Sequence, residues 1–405
     1  LLQHAYENTE YYKRLFDDNG LDVNAEDFVE RFEKLPLLTK KIVKDNYDAL
    51  TAKNIPASEI TKASTGGSTG VPMYFLRDKE CLYLRRGQEL FFDRWMGYEI
   101  GKKLGYFVAG SHFDGRISEL KFKIRNTLTN RMVSFDPHDI TEAYMRSFLE
   151  EFNDHGPEMI KCFPNALAPF VHFVKKNNLE IAPVKVISCT GETLYKQQKE
   201  QFEDVFKAKV FEKVGTRESG VFACECKEHD GLHIFTEGVY LELIKQDGSL
   251  AREGEMGKVV ITDLFNKVMP LIRYEIGDMA ISAGDKMCQC GSALPLLKSY
   301  LGRTRDILVD SEANPRPGYL FVEIIKNLNL NAQIQIYQPE KNRVLIRVVK
   351  KSEEPIDTSD LVAQCQEILG DGISVEVEYV DEIQRDPSGK YSYVKSDVSF
   401  MDQSA

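Results

Sequence analysis

The chain has 405 residues, 42% of them hydrophobic and 28% charged, a size and balance that suit a large domain plus a smaller one rather than one simple core. Its 52 Lys+Arg against 63 Asp+Glu leave a net charge of -11, which argues against nucleic acid or an anionic membrane as the principal partner and leaves small metabolites. No stretch approaches the ~18 uncharged apolar residues of a membrane span, and the start at Leu1 shows neither a basic nor an apolar leader region, so the expectation is a soluble cytoplasmic protein.

From the first residue, apolar and aromatic spacing predicts a helix over Leu2–Phe16 and a second over Ala25–Phe32, before the Leu35-Pro36 break. Residues 64–72 then read Ser-Thr-Gly-Gly-Ser-Thr-Gly-Val-Pro. Glycines without side chains let backbone N–H groups approach an anion, so this loop suits a polyphosphate. It lacks the spacing G-x-x-x-x-G-K-[ST], and on composition alone a flexible surface linker explains it equally well. Met73–Leu76 reads as a short strand and Lys79–Trp95 as a helix.

Short apolar runs over Leu104–Ala109, Val184–Cys189 and Lys209–Val214 alternate with helical stretches over Glu142–Asn153 and Lys196–Phe206. That alternation predicts an α/β layered fold. Ligands in such sheets bind where strands end, which is where Thr190-Gly191-Glu192 and Gly215-Thr216-Arg217-Glu218 fall. The stretch with Phe107, His112 and Phe113 reads either as part of an acyl pocket or as a core strand with a polar turn. From Tyr240 to Ile281 strand signals dominate, with turns at Asp247-Gly248 and Glu253-Gly254, so a β-rich subdomain is expected.

Past Arg303 the pattern becomes strand over Ala332–Tyr337, strand over Arg343–Val349, helix over Thr358–Leu369 and strand over Ile373–Val380. About 100 residues of this content can form a compact α+β domain. The boundary is expected near Gly302–Asp306, giving domains 1–302 and 303–405.

Six separated segments resemble the adenylate-forming superfamily in wording and in order. Thr65-Gly66-Gly67-Ser68-Thr69-Gly70-Val71-Pro72 resembles its T-S-G-T-T-G-x-P phosphate loop, and Gly191-Glu192 stands at the expected adenine site. Gly215-Thr216-Arg217-Glu218 resembles Y-G-x-x-E, and the segment ending Arg273-Tyr274-Glu275-Ile276-Gly277-Asp278 resembles R-Y-x-x-G-D. Gly302-Arg303-Thr304-Arg305-Asp306 is similar to the G-R-x-D-D hinge and Pro387-Ser388-Gly389-Lys390 to the C-terminal S-G-K motif. Leu35-Pro36-Leu37-Leu38-Thr39-Lys40 and the Tyr6–Tyr12 helix resemble the branch of phenylacetate-coenzyme A ligases and capsular polysaccharide ligases.

The resemblance implies a large N-terminal domain that binds Mg-ATP and a small-molecule carboxylic acid, and a small mobile C-terminal domain. Forming an acyl-adenylate brings two anions together, so cations must offset their repulsion. Lys390 is the expected catalytic cation, acting as a point charge on a flexible stem; outside this context it reads as an exposed lysine in a turn. Glu218 is the expected Mg²⁺ ligand, since a cation bound to phosphates needs only one or two protein carboxylates. Asp278 is expected at the ribose, Arg303 at the ribose or a phosphate, Thr65 to Gly70 at the phosphates and Thr216 among the nucleotide-binding residues, while Arg217 either reaches a phosphate or lies at the surface. Val214 replaces the family's frequent tyrosine against adenine, Arg217 a frequent hydroxyl residue, and Arg305 a frequent hinge aspartate.

Eight cysteines in this length do not suggest a secreted disulfide scaffold. Cys226, His233, Cys288 and Cys290 offer a soft tetrahedral set for structural Zn²⁺. Cys224 competes with Cys226, and free core thiols are the alternative. The acceptor of the activated acyl group reads as coenzyme A or as an amine in polysaccharide assembly, and a nucleotide-binding protein without turnover is a third reading. The acid itself and the oligomeric state are not legible.

Overall fold

The computed structural model describes residues 1–65, 72–108, 126, 131–137, 139–328, 330–350, 354–384 and 391–398, with the Arg305 side chain left out. The glycine-loop residues Gly66, Gly67, Ser68, Thr69 and Gly70, the pocket candidates His112 and Phe113, and Lys390 therefore lie outside the described residues.

Two helices, Leu2–Asn8 and Glu10–Asn19, occupy the first stretch where one was expected. Thr9 separates them: its backbone is extended, and its hydroxyl accepts from Tyr12 N while donating to the Ala5 carbonyl at 2.8 Å. An N-cap threonine thus interrupts a periodic apolar pattern without disturbing the periodicity. The second predicted helix is shorter than expected, Phe28–Glu33. Strands β1 (Thr61–Ser64) and β2 (Tyr74–Arg77) form a hairpin around the glycine loop, followed by the expected Lys79–Trp95 helix, which Asp78 caps through Cys81 N.

The central sheet joins two halves. Strands β3 (Leu104–Phe107), β4 (Met132–Ser134), β5 (Met159–Cys162), β6 (Val186–Cys189) and β7 (Lys209–Thr216) lie parallel, in the order β4-β3-β5-β6-β7. Every residue of β5 and β6 is buried, as expected of parallel strands covered on both faces. Helices Glu142–His155, Pro164–Lys176 and Lys196–Phe206 make the crossovers. Phe107, Phe135, Phe148, Phe152 and Phe170 fill the layer between sheet and helices with ring centroids 5.0–6.2 Å apart. Each buried ring contributes roughly 1.5–3 kcal/mol. Phe107 is thus a core residue.

Strand β7 is long enough to serve both halves. Its first part pairs with β6, and its last part pairs antiparallel with β8 (Gly220–Glu225). Beyond it the antiparallel half continues through β9 (Leu232–Ile234), β13 (Leu296–Arg303), β12 (Tyr274–Ser282), β11 (Met256–Asp263) and β10 (Val239–Ile244). The β-rich region expected from Tyr240 onward is therefore hydrogen-bonded into the same 11-stranded sheet.

After β13, strands β14 (Ile307–Val309) and β15 (Pro315–Pro317) form a small pair. A four-stranded sheet follows, with β16 (Ala332–Glu340), β17 (Arg343–Lys350), β18 (Ser374–Tyr379) and β19 (Val394–Ser396) in the order β18-β17-β16-β19. Helices Gly318–Leu328 and Ser359–Leu369 contribute Phe321, Ile325, Leu361 and Leu369 to a core shared with Ile336 and Ile346. Among the described residues no helix is long and apolar enough to cross a membrane.

Candidate active site

Three strand ends and one returning segment build the site. At the stem of the glycine loop, Thr65 is buried and doubly tied to Met73: its N–H donates to the Met73 carbonyl at 2.9 Å and its hydroxyl accepts from Met73 N at 3.0 Å. At the turn between β7 and β8, Thr216 Oγ1 accepts from Ser219 N, and Arg217 Nη1 reaches back to the Ser64 carbonyl at 3.3 Å. Gly215 admits no side chain, because an added Cβ would meet the Gly220 carbonyl at 2.5 Å. That tight return leaves Glu218 buried at 6% exposure, with the Tyr274 hydroxyl donating to it from 3.4 Å.

Tyr274 opens β12, which also carries Asp278. The Tyr300 hydroxyl donates to one Asp278 oxygen, and Arg303 Nε lies 3.1 Å from the other. Burial first, then the Asp278 charge, push the Tyr300 phenol well above its ordinary range, so it stays a donor. Arg303 also donates to the Ile276 carbonyl at 2.9 Å. On the parallel half, Gly191 follows β6 at φ 75°, where a Cβ would sit 2.6 Å from the Phe163 ring. Beside it, Glu192 Oε2 accepts from Asn165 N at 3.1 Å.

Two residues that sequence reasoning did not assign belong to this setting. Lys40 is half-buried; burial and Arg303 hold its pKa below the usual lysine value, while Glu218 and Asp278 oppose the shift. It is placed by Leu38, which bridges Tyr274 and exchanges backbone hydrogen bonds with Arg273 and Glu275. Tyr274 is the second. Both lie inside segments already quoted as motifs, and that was the available signal.

Arg273, the arginine of the same motif, does something else. It is 4% exposed at φ 49°, an unfavourable backbone for a residue other than glycine, and clamps Glu242 at 2.9 and 3.1 Å while donating to the Leu35 carbonyl. Tyr12 braces the same segment, its hydroxyl donating to the Pro270 carbonyl at 2.8 Å and accepting from Ile272 N at 3.1 Å. The Glu10–Asn19 helix therefore braces the segment that leads into the strand carrying Tyr274 and Asp278.

Away from this cleft, the ligand atoms of Cys226, His233, Cys288 and Cys290 all lie within 4.8 Å of one another. Cys226 and Cys288 sulfurs are 3.5 Å apart, as are Cys290 Sγ and His233 Nε2. Zn–S bonds of about 2.3 Å in a tetrahedron set ligands roughly 3.8 Å apart, so the four atoms fit such an ion. His233 Nδ1 donates to the Leu294 carbonyl at 3.2 Å, which leaves Nε2 facing the thiols. Cys224 points elsewhere, packing with Phe92, Phe211 and Phe235 while its thiol donates to the Glu225 carbonyl.

Residues 317–397 match the family model described as the CapK C-terminal domain. The chain is 21% identical to Protein CapK of Staphylococcus aureus, over 96% of this chain and 86% of that one. It is 26% identical to a phenylacetate-coenzyme A ligase of Thermus thermophilus, over 78% of this chain and 71% of that one. Along most of its length the chain is thus similar both to a CapK protein and to phenylacetate-coenzyme A ligases. Among solved structures, 2-hydroxyisobutyryl-CoA ligase in the postadenylation state superposes with a TM-score of 0.75 at 18% identity, covering 98% of this chain and 87% of that one, which gives the adenylate-forming fold.

The segment just after residue 390 is anchored from two sides. Tyr391 donates to the Ile334 carbonyl at 2.5 Å, and Tyr393 packs edge-on against Tyr195, three residues past Glu192. Lys326 sits 4.2 Å from the centre of the Tyr195 ring and 5.6 Å from that of Tyr393. Thus the C-terminal part meets the larger part next to the loop that carries Gly191 and Glu192.

Proposed function

We propose that this chain is an AMP-forming ligase that activates a carboxylic acid as its acyl-adenylate and passes the acyl group to coenzyme A. One acid oxygen bonds to the α-phosphorus of ATP as the bond to the bridging oxygen breaks, and pyrophosphate leaves; the coenzyme A thiol then displaces AMP. The observation that supports it best is the meeting of Glu218, Asp278 and Arg303, from separate motifs, beside the stem of the glycine loop. Glu218 would hold the Mg²⁺ that accompanies the phosphates: it is buried, and its hydrogen-bond donor among the described residues is one phenol at 3.4 Å. Asp278 and Arg303 would hold the ribose, and Gly191 would let adenine approach the backbone.

On this reading the domain from 303 to 405 rotates about the Arg303–Asp306 hinge. It brings Lys390 to the acid for adenylation and then makes room for the acceptor. The Lys390→Ala variant is expected to bind ATP as the parent does yet lose acid-dependent pyrophosphate exchange by about a thousandfold or more; undiminished exchange rejects the assignment. A second reading, transfer to an amine, is favoured by the match of residues 317–397 to a domain named for CapK. Loss of free thiol on adding coenzyme A, acid and ATP selects the first reading; amide formation without thiol loss selects the second. The Cys226, His233, Cys288 and Cys290 set would hold Zn²⁺ as a staple for the antiparallel half, since four protein ligands leave no open position for substrate.

A further inference from the structure

A cavity of about 540 Å³ opens between the β1–β2 hairpin, the Lys79–Trp95 helix and the β7–β8 turn. Its wall is cationic, with Lys62, Arg77, Arg85, Arg86 and Arg217 facing a single carboxylate, Glu89. Glu89 is already taken by Lys161 at 2.7 Å and Arg86 at 2.6 Å, and Arg85 by Asp263 at 2.5 Å. Arg77 and Arg217 make no ion pair among the described residues. The Nε atoms of Arg77 and Arg85 are buried without a hydrogen-bond partner, and Arg85 is only 8% exposed. Buried donors left without an acceptor are costly, and a guanidinium's natural acceptor is a carboxylate or phosphate. Burial, then Arg85 and Arg217, hold the Arg77 pKa below its ordinary value, the mark of cations crowded without their anion.

The same wall includes Leu82 and Val221, contacts that suit a carbon skeleton and are of no use to an inorganic polyphosphate. We propose that the cavity holds the far end of the acid substrate and that this end carries a second anionic group, a carboxylate or a phosphate. This rests on the acid-activating reading. One carboxylate forms the bond to the α-phosphorus and releases pyrophosphate, while the second anionic group stays unreacted against Arg77 and Arg85. The nucleotide's own polyphosphate is the other source of such oxygens, and the apolar wall disfavours it.

The test titrates the full chain calorimetrically with α,ω-dicarboxylates from succinate to suberate, with ω-phosphono acids, with monocarboxylates of matched length and with pyrophosphate. The parent protein, Arg77→Gln and Arg77→Lys are compared, and acid-dependent pyrophosphate exchange is measured with the same acids. At least one doubly charged acid is expected to bind about tenfold or more tightly than its singly charged match. Arg77→Gln should abolish that difference with pyrophosphate affinity unchanged, and Arg77→Lys should keep part of it. If no doubly charged acid outbinds its match, or if Arg77→Gln weakens pyrophosphate and spares the acids, the proposal is overturned. Discrimination at Arg77 without any exchange would leave the cavity assignment standing and remove the adenylation reading. Exchange with singly charged acids and no discrimination would do the reverse.

Discussion

Lys40 sits half-buried near Arg303, Glu218 and Asp278, so one cation and two carboxylates set its electrostatics. A lysine in that position is available to an incoming polyphosphate at little reorganisation cost. The Lys40→Met variant is expected to raise the KM for ATP about tenfold while leaving the thermal midpoint within a few degrees, measured by initial rates and calorimetry. At the thiol cluster, one equivalent of zinc is expected by elemental analysis. Cys226→Ser should lower the zinc content and the midpoint together, whereas Cys224→Ser should change the midpoint alone. Glu218, Asp278 and Arg303 could be proposed from the sequence because short motifs name them, and the structure sets them near one another. Lys40 and Tyr274 were not assigned, because their place depends on the Leu38–Tyr274 bridge, a pairing between distant segments that no local pattern encodes. Cys226 and Cys224 differ by two positions in sequence, and only the packing of Cys224 against Phe92 and Phe235 separates them.

Helix and strand limits were legible where periodicity changed and obscure where it did not. The Lys79–Trp95 and Lys196–Phe206 helices have the limits that their spacing predicts, because capping residues stand where the apolar pattern begins. The opening helix pair was not foreseen, since the apolar stripe runs on through Thr9 while the backbone does not. Thr9→Ala removes both the cap on Tyr12 N and the bond to Ala5. A loss of about 1–2 kcal/mol is expected in denaturant unfolding, and a smaller loss than ~0.3 kcal/mol would show that tertiary contacts alone set the break. Pro164–Lys176 was also passed over, although a first-turn proline is favourable and the rest of the helix buries Leu167, Phe170 and Val174. Strand β9 escaped because it is only three residues long, and β8 because it returns from β7 on a tight turn.

At the scale of the molecule, the order of motifs was enough to anticipate an α/β sheet with a smaller α+β region after it, whereas the way the halves join was not. Lys326 offers a pH readout of the contact between the large and small parts. Burial lowers its pKa to about 8, against roughly 10.4 in an unfolded chain. Between those values the unfolded chain binds a proton that the folded one has released, so folded stability rises with pH across that window. The thermal midpoint of the parent is therefore expected to climb relative to that of Lys326→Met from about pH 8 to pH 10; parallel curves would rule the contact out as a titrating one. Strand β7 gives the larger part its unity. Because its first residues belong to the parallel lattice and its last to the antiparallel one, no cut through the polypeptide can part those lattices without breaking a common rib, whose far end carries Thr216 into the turn that holds Glu218.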